Sequence, residues 1–284
     1  MGRLLKYYLS FLVIVVCASC VEFSNETYHH LTHDERKTLS ADYAQLARYC
    51  ERGSPKNMRL LEKAIKIDPQ NDLAWRDLAL PYLYAGMINE WNKHMKKAVE
   101  LNPVAWQDWR GYQKLYFFRD YSGALFDLDA TDTLTFNQVD YPQNISVDYL
   151  RGMCYLGLEQ YDRSIEYFDK YIDDETEKVG EAYVDESAFL YLGIIANSQN
   201  RFDDAIKHFE RAAKFEIGNA DLDYHKAKAY LSIGEIEKAQ ELLLNAKKKF
   251  EDDEYMRGFR YEAIEQLYLS DIKTLEASIS GTRS

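Results

Sequence analysis

The sequence predicts an all-α protein, built as an α-solenoid of helix-turn-helix repeats. Three observations predict it: like residues recur at a fixed period, helix-breaking residues are scarce, and small residues alternate with large ones as in packed helix pairs. The 284 residues include only five prolines and thirteen glycines, few for an all-β sandwich and ordinary for a helical protein. One helix pair cannot bury its apolar face alone, so such units must stack on their neighbours.

The period is 34 residues. Like residues recur at this distance in two separate parts of the chain, near the first third and near the last. The pairs are Ala64 and Ala98, Pro69 and Pro103, Leu61 and Met95, Ala205 and Ala239, Phe209 and Leu243, and Ala212 and Ala246. A period between 20 and 50 residues indicates a repeat array rather than a single-core domain.

The repeat pattern resembles the tetratricopeptide repeat, in which small and large residues alternate along two helices. The fullest match is FLYLGIIANSQNRFDDAIKHFERAAKF, and AWRDLALPYLYAG, YLRGMCYLGLEQYDRSIEYFDKY and DYHKAKAYLSIGEIEKAQELLLNA also match. The units from Tyr43 to Ile67 and from Trp106 to about Ala130 are looser. The resemblance therefore implies about six repeats.

Two insertions break the regular spacing. Gly152 and Gly193 are 41 residues apart, which leaves about seven extra residues near DDETEKVGEAYVDE. Ala124 and Ser164 are 40 apart, which lengthens the connection at DTLTFNQVDYPQNI. Insertions in repeat arrays fall in loops, often on a functional face.

The predicted domain boundaries follow from these patterns. Residues 1–19 form a signal peptide, residues 20–37 a polar tether, and residues 38–250 the repeat array. Residues 251–277 are helically periodic with no partner helix, so they predict a single C-terminal capping helix. Residues 278–284 are expected to form a flexible tail.

The N-terminus has the layout of a secretory signal: Arg3 and Lys6, then an apolar run, then small residues before Cys20. With Cys20 it resembles the lipobox of bacterial lipoproteins, which implies cleavage before Cys20, lipidation of Cys20, and a membrane anchor through the N-terminal lipid. The pattern departs from that family at Cys17, where an aliphatic residue is expected. Ordinary signal cleavage, or a C-x-x-C redox or metal pair, are the alternatives.

The rest of the sequence gives little sign of chemistry. The net charge of −12 argues against nucleic acid as a partner. No phosphate loop, nucleophile elbow, metalloprotease motif or dinucleotide fingerprint occurs, so we expect no enzyme and no cofactor. His29 and His33 would share a face on a helix, but only as weak candidates for a metal, since no third ligand is evident.

Tetratricopeptide arrays bind an extended peptide or a partner's helix in a groove lined by each repeat's first helix. Applying that rule to this sequence predicts a groove rich in aromatic side chains and arginine, which recognition hot spots favour. The same pattern is equally consistent with packing between repeats. The predicted groove residues are Arg76, Tyr84, Trp106, Trp109, Gln113, Tyr116, Tyr149 and Tyr224.

The function predicted first is a membrane-anchored scaffold or adaptor that binds a protein or peptide partner at the bacterial cell envelope. An outer-membrane assembly factor, resembling the tetratricopeptide lipoprotein of the β-barrel assembly machine, is one alternative. An accessory component of glycan or nutrient uptake is another. Val21 and Glu22 give no strong surface-export signal, so we expect the outer membrane and its periplasmic face.

Overall fold

The computed structural model describes residues 28–136, 139–214, 219–258 and 260–281. The predicted signal peptide and Cys20 lie outside these residues. The described part of the chain holds thirteen α-helices and no strand, which confirms the predicted all-α repeat fold. Within it, no helix is both long and apolar enough to cross a bilayer.

In sequence order, the first twelve helices form six helix-turn-helix units, and a thirteenth helix follows them. Two short 3-10 helices, Pro142–Asn144 and Glu181–Tyr183, lie in the two insertions. The α-helices are α1 His33–Arg48, α2 Pro55–Ile67, α3 Asp72–Tyr84, α4 Ile88–Leu101, α5 Pro103–Phe118, α6 Tyr121–Leu134, α7 Val147–Gly157, α8 Tyr161–Val179, α9 Glu186–Ser198, α10 Phe202–Ala213, α11 Ala220–Ser232, α12 Ile236–Glu251 and α13 Leu269–Gly281.

Local side-chain caps fix where many of the helices begin. At α1 the Thr32 hydroxyl accepts from the Glu35 amide while the Glu35 carboxylate accepts from the Thr32 amide, a complete capping box. Pro103 is the first residue of α5 and directly follows the capping residue Asn102. A proline is tolerated there because a backbone N–H at the first helical position would have no acceptor within the helix. Side-chain oxygens cap further helices in the same way at Ser54, Asp120, Ser146, Asp185 and Asn219.

The chain divides into two compact units at Pro81. The first unit holds α1, α2 and most of α3. Its core is a small cluster of alanines and leucines from these three helices. Within it, the Ser40 hydroxyl donates to the Ala64 carbonyl oxygen at 2.8 Å, which ties α1 to α2.

The second unit holds the remaining helices, and small residues let its helix pairs approach closely. A Cβ at Gly193 in α9 would overlap the ring of Phe209 in α10, and one at Gly152 in α7 would lie 2.9 Å from the ring of Phe168 in α8. Both rings are completely buried. The pairing of small with large residues predicted from the sequence is therefore the packing contact itself.

The C-terminal prediction was wrong in one respect: residues 251–277 are not one helix. Helix α12 ends at Glu251, Asp253 adopts a left-handed φ of 67°, and the Glu254 amide donates back to the Lys249 carbonyl oxygen. Residues 252–258 and 260–268, here called the C-terminal segment, are irregular. Helicity resumes in α13, which packs against α12.

The other predicted boundaries also shift. Helix α1 begins at His33, so the last residues of the predicted tether are helical. Helix α13 continues to Gly281, through part of the predicted tail. Hydrophobic periodicity locates helices better than it locates their ends, because capping residues decide the ends.

Candidate functional site

The first helices of neighbouring repeats contact each other in the second unit, α5 with α7 and α9 with α11. Between the two pairs, the Tyr149 hydroxyl on α7 lies 2.7 Å from that of Ser187 on α9. The surface of these four helices is here called the first-helix face. The C-terminal segment lies on this surface. It follows no regular secondary structure, yet several of its side chains and backbone groups are buried there. The chain thus places an irregular stretch of its own backbone where the sequence predicts a partner-binding groove.

Tyr261 is the aromatic anchor of the segment. Its ring centroid lies 4.8 Å from that of Tyr116 and 5.2 Å from that of Phe117, both on α5. Its hydroxyl lies 3.5 Å from that of Tyr112. Such offset and edge-to-face ring pairs contribute about 0.5–1.5 kcal/mol beyond area burial. α5 therefore supplies an aromatic pocket for one side chain of the segment.

Backbone carbonyls of the segment are held by side chains of the array. The Arg119 guanidinium, just after α5, donates to the Ala263 carbonyl oxygen at 3.0 Å and to that of Glu262 at 3.4 Å. The Tyr191 hydroxyl on α9 donates to the Ile264 carbonyl oxygen at 3.4 Å. These contacts do not depend on the side chains at residues 262–264.

The opposite end of the segment is held at the start of α11. The Asp221 carboxylate accepts from the Met256 amide at 2.7 Å, and the Ala220 amide donates to the Glu254 carbonyl oxygen at 2.9 Å. Asp221 is buried, and that burial raises the pKa of its carboxyl to about 6. A buried carboxylate held by backbone amides is a costly arrangement, and here it fixes the position of the segment.

A cation–π contact also holds the C-terminal segment on the array. The guanidinium of Arg260 lies 4.6 Å from the ring centroid of Tyr84, at the end of α3. Tyr84 also packs on Phe117, with ring centroids 5.9 Å apart. Contacts of this kind are worth about 0.5–1 kcal/mol at exposed sites.

A cavity of about 570 Å³ opens beside the segment. The two sequence insertions meet at its rim, where the Tyr141 hydroxyl donates to Glu175 at 2.8 Å and accepts from the Lys178 ammonium at 3.0 Å. Five tyrosines and three carboxylates share its walls. It is lined by Tyr116, Tyr141, Asn144, Ile145, Ser146, Tyr149, Tyr171, Glu175, Ala182, Tyr183, Val184, Asp185 and Glu186.

The cavity wall carries both aromatic rings and carboxylates. Burial raises the pKa of Tyr171 to about 12 and also raises the pKa of Tyr149 well above its usual value, so both hydroxyls stay neutral donors and acceptors at pH 7. The hydroxyls of Tyr149 and Ser187 lie 2.7 Å apart. The Tyr171 hydroxyl accepts from the Asp185 amide at 3.2 Å. The arrangement offers ring faces and polar atoms, as peptide and ligand pockets do.

Of the predicted groove residues, Tyr84 and Tyr116 contact the C-terminal segment, and Tyr116 and Tyr149 line the cavity. Trp106 and Trp109 form an edge-to-face pair at the start of α5, with centroids 5.9 Å apart. Three of the eight predicted groove residues, Tyr84, Tyr116 and Tyr149, therefore lie at the C-terminal segment or at the cavity.

The other three groove residues lie elsewhere. Gln113 is buried and accepts from the Trp91 indole of α4 at 2.7 Å, so it packs between helices and is no groove residue. Tyr224 packs against the cluster that α11, α12 and α13 share. Arg76 belongs to the first unit, where it pairs with Asp77 at 2.9 Å beside a cavity of about 510 Å³.

The histidine pair does not share a helical face. His29 lies in a turn and α1 begins at His33, because Thr32 caps the helix between them. Among the described residues, no group of three His, Cys, Asp or Glu side chains is placed to hold a metal ion.

Sequence reasoning missed a network of charges between α5, α6 and α7. Buried Asp127 on α6 pairs with Arg110 at 2.6 Å and with Lys114 at 2.8 Å. Buried Arg151 on α7 pairs with Asp148 at 3.0 Å and with Asp132 at 2.9 Å. It also missed Tyr191 and Tyr261, which no repeat position marks. Charge spacing along α7, with Asp148 three residues before Arg151, was the available signal.

Comparison with known proteins gives two kinds of finding. The tetratricopeptide repeat profile matches residues 149–173 and residues 196–260. No curated protein matches the sequence.

Solved structures show the same architecture at low identity. PilW, a widely conserved type IV pilus biogenesis factor, is 18% identical, with a TM-score of 0.60 over 84% of this chain and 98% of that one. PilF of Pseudomonas aeruginosa is 17% identical, with a TM-score of 0.59 over 86% and 99%. Yeast Tom70 is 16% identical, with a TM-score of 0.54 over 86% of this chain and 47% of that one. Identities this low show the fold alone, and together with the profile matches they establish that the chain contains tetratricopeptide repeats.

Proposed function

We propose that this chain is a membrane-anchored tetratricopeptide scaffold that holds a protein partner on its first-helix face at the bacterial cell envelope. The observation that supports it most is that this face already carries a non-helical peptide, the chain's own C-terminal segment, through an aromatic anchor and backbone hydrogen bonds. A surface built to hold one non-helical segment has the chemistry to hold another. Tetratricopeptide repeats commonly act as non-enzymatic interaction scaffolds.

The cavity beside the segment is the open part of this surface. It lies between the two insertions, and exposed Tyr141 and Tyr183 stand at its rim. Aromatic side chains with polar atoms beside them are favoured at protein interfaces. We therefore propose the cavity as the first contact point of the partner.

Site-specific photocrosslinking in native cells tests this proposal. A photoreactive residue replaces Tyr183 or Tyr141 at the rim, and as a matched control it replaces exposed Glu210 on the second helix α10. We expect both rim positions to capture the same protein and the Glu210 position not to capture it. Equal capture from all three positions, or from none, would contradict binding at this face.

The captured protein also separates the alternatives. A β-barrel assembly subunit would favour the assembly factor, and a nutrient transporter would favour glycan or nutrient uptake. A pilus component would extend the fold likeness to PilW and PilF to function, which the fold likeness alone does not establish.

The anchor proposed at Cys20 has its own test. We expect the wild-type chain to fractionate with outer membranes and to carry an acyl mass on its first mature residue. A Cys20→Ser chain should lose both. A Cys20→Ser chain that still partitions with membranes after signal removal would overturn the lipid anchor. Protease added to intact cells should leave the array uncut if it faces the periplasm.

A further inference from the structure

We propose that the C-terminal segment is a replaceable occupant of the first-helix face, held there as a ligand in cis that a partner segment of similar chemistry displaces. The proposal rests on the proposed function, since it names the chemistry and the control of the same surface. It concerns residues 256–258 and 260–264, which lie between α12 and α13, two helices that pack against each other.

The array forms four hydrogen bonds with the backbone of this stretch, and Arg119 also pairs with the Glu262 carboxylate at 3.7 Å. Arg119 and Tyr191 donate to three consecutive carbonyl oxygens, those of residues 262, 263 and 264, and Asp221 accepts from the Met256 amide. Main-chain hydrogen bonds supply affinity that any extended chain can satisfy, while pockets for particular side chains supply specificity. Recognition of this type suits a ligand that is exchanged for another.

Two side chains supply the specificity. Tyr261 inserts among the rings of Tyr112, Tyr116 and Phe117. Ile264, three residues later, is 5% exposed and belongs to the core cluster of the repeats. The matching partner is therefore a non-helical peptide segment with an aromatic residue followed three residues later by an aliphatic one. A basic residue before the aromatic would take the place of Arg260 over the Tyr84 ring.

The segment is held less firmly than the helices beneath it. Between residues 260 and 264 only Ala263 and Ile264 are buried, whereas every residue of α9 from Ser187 to Ala196 is buried. Regions with few buried apolar contacts open locally at lower free energy than the core.

Release of the segment need not release α13. Leu267 and the α13 residues Ile272, Leu275 and Ile279 form a separate cluster with α11 and α12. The array would stay capped while residues 256–264 leave the surface.

Displacement would also join two sites into one. Tyr116 contacts Tyr261 on one side and lines the cavity on the other. A partner that first occupies the cavity is therefore placed beside the ring that anchors the segment. A longer partner segment would fill both.

A peptide of the chain's own sequence tests the proposal. A fluorescein-labelled peptide of residues 254–266 is titrated with the purified full chain, wild type or carrying Tyr261→Ala with Ile264→Ala, and anisotropy is measured. Apparent affinity scales with the fraction of free surface, so we expect the double variant to bind at least about tenfold tighter than wild type.

The matched control, Phe126→Ala with Leu244→Ala, removes an exposed aromatic and an exposed aliphatic side chain, and should bind as wild type does. The labelled peptide carrying Tyr261→Ala and Ile264→Ala should not bind the double variant.

Equal binding by wild type and the double variant, or no binding to a folded double variant, would overturn the proposal. Neither result would contradict the proposed scaffold function, because the crosslinking experiment measures capture of a partner at the cavity rim of the intact chain.

Hydrogen exchange on the wild-type chain decides the matter even if the double variant does not fold. The amides of Met256 and Ala263, which donate to the Asp221 and Gln266 side chains, should exchange at least about a hundredfold faster than those of α9, because the segment opens locally. Exchange of both regions at the same rate, through global unfolding alone, would show that the segment is a fixed part of the fold and would overturn the proposal.

Discussion

The guanidinium of Arg119 donates to the carbonyl oxygen of Ala263 across a sequence separation of 144 residues, at 3.0 Å. It joins the end of α5 to the C-terminal segment. The contact lies beside a second donation to Glu262 and one to the Tyr121 hydroxyl. Arg119 itself has a left-handed φ of 51° at the end of the helix, which directs its side chain away from the helical path.

Arg119→Gln should therefore loosen the segment without disturbing the repeats. Losing two hydrogen bonds to a charged donor should cost about 1–3 kcal/mol locally. We expect faster hydrogen exchange at residues 260–264 and unchanged exchange in α9. Arg257→Gln is the matched control, because Arg257 pairs with exposed Asp253 and should leave exchange at residues 260–264 as in wild type. Equal effects of the two substitutions would contradict a specific role for Arg119.

Gly193→Ala should destabilise the second unit by about 2 kcal/mol or more, since its methyl group would overlap the fully buried ring of Phe209. Urea denaturation should show a lower midpoint with an unchanged slope. Gly281→Ala is the control, because no atom lies within 4 Å of its added Cβ and its stability should match wild type. A Gly193→Ala chain as stable as wild type would show that the ring can move aside.

The contact between Gly193 and Phe209 shows which part of the packing could be predicted from the sequence. The period of the repeat predicts which small residue faces which large one, because helix pairs must pack closely wherever the period holds. It also placed both insertions, which meet where Tyr141 bonds Glu175. It could not place Tyr261 or Tyr191, whose contacts depend on a long return of the chain across α5 and α9. No local pattern encodes such a contact, and the periodicity of residues 251–277 predicted a helix instead.

Arg151→Met should destabilise the chain by about 3 kcal/mol or more. The substitution removes one of the two ion pairs of Asp148, whose side chain is 2% exposed, and leaves only the pair with Lys170 at 2.9 Å; removing one partner of a buried ion pair costs about 3 kcal/mol or more. Arg163→Met removes a guanidinium that is half exposed and pairs with exposed Glu166; its effect should stay below about 1 kcal/mol. Urea unfolding of the two variants side by side makes the comparison. A loss of similar size in both would argue against a buried network at Arg151.

His225 should make stability fall as the pH falls. Its ring is buried on α11 against Phe209, and burial lowers its pKa from 6.5 to about 3. Between these two values the unfolded chain binds a proton that the folded chain does not, so unfolding becomes more favourable as the pH drops from 6.5 toward 3. In His225→Gln this contribution vanishes. We expect the difference in unfolding free energy between wild type and His225→Gln to change steadily over that window, and a constant difference would contradict the burial of a neutral ring.

Asp221 should act in the opposite direction, one helical turn before His225. Burial raises the pKa of its carboxyl from 3.8 to about 6, so between these values the folded chain holds a proton that the unfolded chain has lost. Stability from this group therefore increases as the pH falls through 6 and decreases as it rises.

Asp221→Asn keeps a side-chain oxygen that can accept from the Met256 amide but removes the titration. We expect its stability relative to wild type to improve as the pH is raised from about 4 to about 7, whereas Asp203→Asn, an exposed carboxylate on α10, should show no such trend. If Asp221→Asn instead loses stability as the pH rises, the ionised carboxylate stabilises the Met256 contact more than burial opposes it, and the raised pKa is wrong.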